Sequence, residues 1–253
     1  MSSAERRRFR LTVEYDGAPF VGWQRQTNGP SVQGALEAAG RRLTGAEAVA
    51  VAAGRTDAGV HALGMGAHID LATTLDARRV REALNALLRP APVSVLTAAD
   101  APEGFHARFS CTGRAYRYRL LDRRAPPALE AGRVWHVPRR LDEGAMAEAA
   151  ACLVGRHDFT TFRAAQCQAD SPLRTMDAVT VERAGDEVRL SLAARSFLHN
   201  QVRSIAGTLE RVGAGRWAPG DVAAALAARD RSACGPVAPA RGLYFVAATY
   251  PAG

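Results

Sequence analysis

Ala48-Val49-Ala50-Val51-Ala52-Ala53-Gly54-Arg55-Thr56-Asp57-Ala58-Gly59-Val60-His61 reads as a short apolar strand that breaks at Gly54 into a loop. The loop sets a carboxylate, Asp57, between two glycines with a guanidinium two residues before it. Small flanking residues let a bulky ligand approach the backbone. A neighbouring Arg favours the ionised, nucleophilic form of the carboxylate. The same residues also fit an Asx-type turn in which Asp57 bonds only local amides, and the loop alone does not decide between the two.

Outward from the loop, Phe9, Leu11, Val13 and Tyr15 alternate with Arg10, Thr12 and Glu14, which predicts a strand with one buried face ending at Asp16-Gly17. Ser31 is placed to cap a helix carrying Val32, Leu36, Ala39 and Leu43, and Gly45 to stop it. Downstream come an alternating stretch at His68-Ile69-Asp70-Leu71, a helix from about Asp76 to Arg89 closed by Pro90, and a strand at Val93-Ser94-Val95-Leu96. The second half repeats the mixture. A helix near Leu141 to Leu153 precedes a hairpin of Val179-Thr180-Val181 and Val188 to Leu192 about a Gly185-Asp186 turn. A helix striped by Val202, Ile205, Ala206, Leu209 and Val212 ends at Gly213 and Gly215; Pro219-Gly220-Asp221 starts another, and Leu243 to Ala247 closes as a strand. These elements predict an α+β protein of two halves, 5–106 with the loop and 107–253, the latter containing a Pro- and Arg-rich surface connection over 119–140.

The chain has 253 residues, 47% of them hydrophobic, enough to bury a large core. Its 33 basic residues, all Arg, exceed 25 acidic ones, and a net charge of +8 favours a polyanionic partner, although a biased base composition would also enrich Arg. Four scattered cysteines, Cys111, Cys152, Cys167 and Cys234, and six histidines without ligand spacing suggest no metal and no disulfide framework. The histidines are read as structural or RNA-facing. The start, Met1 to Arg8, has no apolar stretch like that of a signal peptide, and no apolar run reaches membrane-spanning length, so a cytoplasmic protein is expected.

Gly54 to His61 resembles the signature of the TruA family of tRNA pseudouridine synthases. Glu14-Tyr15-Asp16-Gly17, Gly22-Trp23-Gln24-Arg25-Gln26, Phe105 to Ser110, Arg114 to Tyr118, Asp158 to Phe162 and Phe197 to Arg203 resemble the family's other blocks, in the family's order. The resemblance implies the pseudouridine synthase fold: two ferredoxin-like halves, a central mixed or antiparallel sheet flanked by helices, and an active cleft between the halves. It further implies a cofactor-independent isomerase that acts as a homodimer on the anticodon arm of tRNA, at uridines 38, 39 and 40. Gln201 departs from the family's more usual methionine at a place expected to be peripheral.

By the same resemblance Asp57 is the catalytic carboxylate, attacking C1′, attacking the base, or promoting a glycal-like intermediate. Tyr116 stacks on the target base, Arg55 holds the flipped nucleotide, Arg203 pairs with the carboxylate, and Leu243 lines the pocket. Ordinary readings stand beside these: cross-strand packing for Tyr116 and Tyr118, a surface Arg at 55, simple strand alternation at Leu243. Asp16 and Asp158 are accounted for by a turn and a helix exit. Two other activities compete: a tRNA-folding chaperone that flips bases without isomerising them, and a nucleoside or glycoside hydrolase, which would want a second carboxylate beside Asp57.

Overall fold

In the computed structural model residues 5–251 are described; Met1 to Ala4, part of the start read as leaderless, and Ala252 and Gly253 lie outside the described residues. The first alternation becomes strand β1 (Arg6–Tyr15), with Phe9, Leu11, Val13 and Tyr15 buried and Arg10 and Glu14 exposed. Helix α1 (Val32–Thr44) begins where the Ser31 hydroxyl accepts the Gly34 amide at 3.1 Å and ends at Gly45, which is left-handed. After β2 (Val49–Ala52) comes β3 (His61–Ala72), longer than the alternation at 68–71 indicates. Helix α2 (Ala77–Leu88), capped by the Asp76 carboxylate, buries Val80, Leu84 and Leu88 before β4 (Val93–Asp100). β1 lies between β3 and β4, antiparallel to both, and β2 pairs antiparallel with β3.

The chain divides into two compact units: one is Met1–Thr112 with Tyr244–Gly253, the other Gly113–Leu243. The second unit opens with β5 (Gly113–Leu121), alongside which β6 (Trp135–His136) runs parallel. It continues through α3 (Glu143–Ala151), β7 (Gly155–Asp158), β8 (Leu173–Ala184), β9 (Glu187–Ala194), α4 (Gln201–Gly213) and α5 (Pro219–Ala228). Its strands lie in the order β5-β9-β8-β7, antiparallel throughout. The β8–β9 hairpin turns at Gly185, as its sequence predicts. Finally β10 (Leu243–Thr249) returns to the first unit and runs parallel to β3, with Tyr244 opposite His61. Antiparallel strands joined in part by parallel ones and accompanied by helices give the α+β class in each unit.

One local expectation is corrected, and two polar residues prove buried. Gln201, whose departure from methionine bears only on local packing, is fully buried in the first turn of α4, its side-chain oxygen accepting the Leu198 amide at 2.8 Å. Asp158 ends a strand rather than a helix, and its carboxylate accepts the Thr160 amide at 2.9 Å and hydroxyl at 2.6 Å to open a 3₁₀ turn. Within 119–140, which is otherwise largely exposed, Asp122 has no exposed side-chain surface; one oxygen accepts from Arg183 at 2.9 Å and the other pairs with the same guanidinium at 2.9 Å. The Leu141 amide also donates to Asp122 at 2.9 Å. Arg183 in turn donates to the Leu141 carbonyl at 2.7 Å and to Glu143 at 2.9 Å. Charge enough to look like surface is here consumed in tying the connection to α3 and β8.

Candidate active site

The loop between β2 and β3 alternates in burial: Arg55 is exposed, Thr56 buried, Asp57 half-buried. Its main chain is held on one side by the segment after β1. The Trp23 amide donates to the Thr56 carbonyl at 3.0 Å, and Gly22 forms an isolated antiparallel bridge with Asp57. Gly22 has φ 119, and a Cβ there would lie 2.6 Å from the Thr56 carbonyl oxygen, so close approach and backbone conformation both call for glycine. Asp57 closes its own turn through its carbonyl, which accepts the Val60 amide at 3.2 Å. Beneath the loop the Tyr15 and Thr56 hydroxyls meet at 2.8 Å, both residues buried.

The loop's far end is equally fixed. His61, 2% exposed, stacks on Tyr244 with ring centroids 4.8 Å apart and 22° between planes. Its Nδ1 accepts the Gly17 amide at 3.1 Å, and an Asp16 carboxylate oxygen lies 3.1 Å from the same nitrogen. Asp16 also accepts the Ala18 amide at 3.0 Å, the turn its sequence predicts. His68, further along β3, accepts the Ala107 amide at Nδ1. Burial above all, then the charge of Arg8, push its pKa down to about 4. These two histidines are structural.

The remaining predicted site residues belong to the second unit. Tyr116, on β5, is 9% exposed and meets Phe197 edge to face at 4.9 Å. Tyr118, on the same face, is fully buried with its hydroxyl donating to the Pro239 carbonyl at 2.7 Å, so its packing role holds. Arg203, half-buried on α4, donates from Nε to the Ala238 carbonyl at 2.8 Å and from a terminal nitrogen to Asn200 at 3.1 Å. Leu243 is buried at the start of β10. Residues 238–243 thus run past both the Tyr118 end of β5 and Arg203.

Two blocks of the sequence, residues 11–110 and 149–251, match the family described as tRNA pseudouridine synthase. Curated relatives named tRNA pseudouridine synthase A agree over nearly full length. The protein of Dinoroseobacter shibae is 62% identical over 96% of both chains. That of Rhodospirillum centenum is 61% identical over 96% of this chain and 99% of its own, and that of Maricaulis maris 57% over 96% and 98%. This chain is a member of the tRNA pseudouridine synthase family. The matched stretch 11–110 includes Asp57, half-buried, with its loop's main chain pinned from Trp23, Gly22 and Val60.

What reading the sequence missed is the support. Tyr15, Trp23 and Gly22 lie in blocks already singled out, yet nothing in a linear pattern says that they grip residues 56 and 57. Among the described residues no group of three or more His, Cys, Asp or Glu is placed to hold a metal ion, and no helix is long and apolar enough to cross a membrane.

Proposed function

We propose that the chain converts uridine to pseudouridine in tRNA with Asp57 as its catalytic carboxylate. The observation that carries the reading is the presentation of Asp57: half-buried, on a loop fixed by its main chain, inside the stretch that matches the family to which the chain belongs. The reaction breaks the bond from C1′ to N1, turns the detached base, and joins C1′ to C5. The C5 proton leaves and N1 gains one, so the product is an isomer and no redox partner or group donor is consumed. Asp57 supplies the negative oxygen that attacks, or stabilises positive charge at, the reacting nucleotide.

The target must leave its stack, which costs a few kcal/mol. Tyr116 takes the base-stacking role, Arg55 holds the flipped nucleotide through its exposed guanidinium, Arg203 contributes positive charge, and Leu243 an apolar wall. The net charge of +8 attracts the RNA. The finer reading is a cytoplasmic homodimer, halves 5–106 and 107–253, acting at uridines 38, 39 and 40 of the anticodon arm. Full-length tRNA tritiated at uridine C5 tests it: the enzyme releases label to water from the anticodon-arm uridines. Retained label refutes isomerisation, free uracil marks a hydrolase, and release from another arm overturns the site choice.

A further inference from the structure

Tyr15 ends β1 on the buried face, and a phenylalanine would satisfy the alternation there as well. Position 56 is likewise buried, where valine would fill the space of threonine. Two hydroxyls stand there instead and meet each other at 2.8 Å. A buried hydroxyl costs stability unless it is bonded, and replacing both partners by apolar groups of the same shape is close to neutral. The pair therefore adds little to stability that Phe and Val would not. What it adds is direction. Threonine is stiff about χ1, so fixing its oxygen orients the peptide unit that leads into Asp57. The Trp23 amide holds that unit's carbonyl at 3.0 Å, and the Gly22 bridge holds residue 57 itself.

We propose that Tyr15 is a positioning residue for the reaction: through its bond to Thr56 it sets where the Asp57 carboxylate stands. The inference rests on the reading of Asp57 as the reacting carboxylate. A misplacement of about 1 Å costs on the order of a hundredfold in a reaction that depends on alignment, and a loosened rather than lost placement costs less. Binding of tRNA, spread over a large surface, does not depend on this bond.

Single-turnover and steady-state kinetics on tRNA test it. Tyr15→Phe and Thr56→Val each lower kcat about tenfold with KM within about twofold, because only an interaction made at the reacting centre is lost. The double variant is no slower than either single one, since both remove the same bond. Thr56→Ser keeps the hydroxyl and stays within about threefold of the parent. Unchanged kcat in both singles, with thermal midpoints lowered, makes the pair merely structural and overturns the proposal, as does additive loss in the double variant. Asp57→Ala run alongside separates the two layers: if it abolishes turnover while Tyr15→Phe does not, only the positioning role falls; if it retains turnover, the reading of Asp57 falls and this inference with it.

Discussion

Asp57 leaves β2 into a loop fixed by main-chain bonds and a pair of hydroxyls, whereas Asp122, directly after β5, is fixed by its own carboxylate. In the first case the residue is half-buried, on a loop whose main chain carries the support. In the second both oxygens are taken by Arg183 and the Leu141 amide, and no side-chain surface remains. The comparison separates two uses of one side chain. A carboxylate that secures the fold is spent; in the role proposed for Asp57, its position has to be secured by other groups.

The contrast is broken most directly by truncating each aspartate. Asp57→Ala is expected to lower turnover at least about a thousandfold, as loss of a nucleophile does, with tRNA affinity and thermal midpoint close to the parent. Substantial residual tritium release would place the chemistry elsewhere. Asp122→Ala leaves the part-buried Arg183 guanidinium with Glu143 and the Leu141 carbonyl but without one carboxylate, and is expected to destabilise the second unit by about 1–3 kcal/mol, read by denaturant titration. Should the Asp122 variant instead lose turnover at full stability, the division of labour between the two aspartates is wrong.

Acid titration sharpens the comparison with smaller effects. In the first unit His68 is held neutral, its pKa pushed down to about 4 by burial and then by Arg8. Unfolded chains take up a proton near the ordinary 6.5, so folding stability from this group is complete above that pH and falls as the pH drops towards 4. In the second unit the hydrogen bond from Arg183, helped by Glu143's own backbone amide, holds the Glu143 carboxyl down to about 2. That contribution is present above the ordinary 4.5 and is lost only as the pH falls towards 2. Amide exchange between pH 6.5 and 4.5 is therefore expected to accelerate in β3 while the β8 and α3 amides, corrected for intrinsic rates, hold. His68→Gln removes the first limb. Equal acceleration in both units would contradict the assignment.

Much of the fold was legible because its signals are local. Ser31 and Gly45 bracket α1, the stripe of Val202 to Val212 is buried in α4 together with the polar Ser204 and Thr208 beside it, and Gly185 turns the β8–β9 hairpin. The early part of β3 escaped because its small residues do not alternate. At Gly66 the Tyr250 hydroxyl would lie 2.5 Å from an added Cβ, so a partner far away in sequence dictates the glycine. Asp122 and Gln201 escaped for a related reason: a polar residue's burial depends on Arg183 and Leu198, which no periodicity points to. At the candidate site the loop itself stood out by motif, while the Tyr15–Thr56 bond and the Trp23 clamp arise only on folding.

Because Tyr244 both pairs with and stacks on His61, the support under the end of the reactive loop arrives after everything between. During translation the loop emerges from the ribosome early, and the whole second unit follows before the strand that completes the first. A nascent chain halted between His61 and Tyr244 carries the whole loop, Gly54 to His61, on an unfinished scaffold. The packing of His61 against Tyr244 is thus completed only once synthesis has passed the second unit.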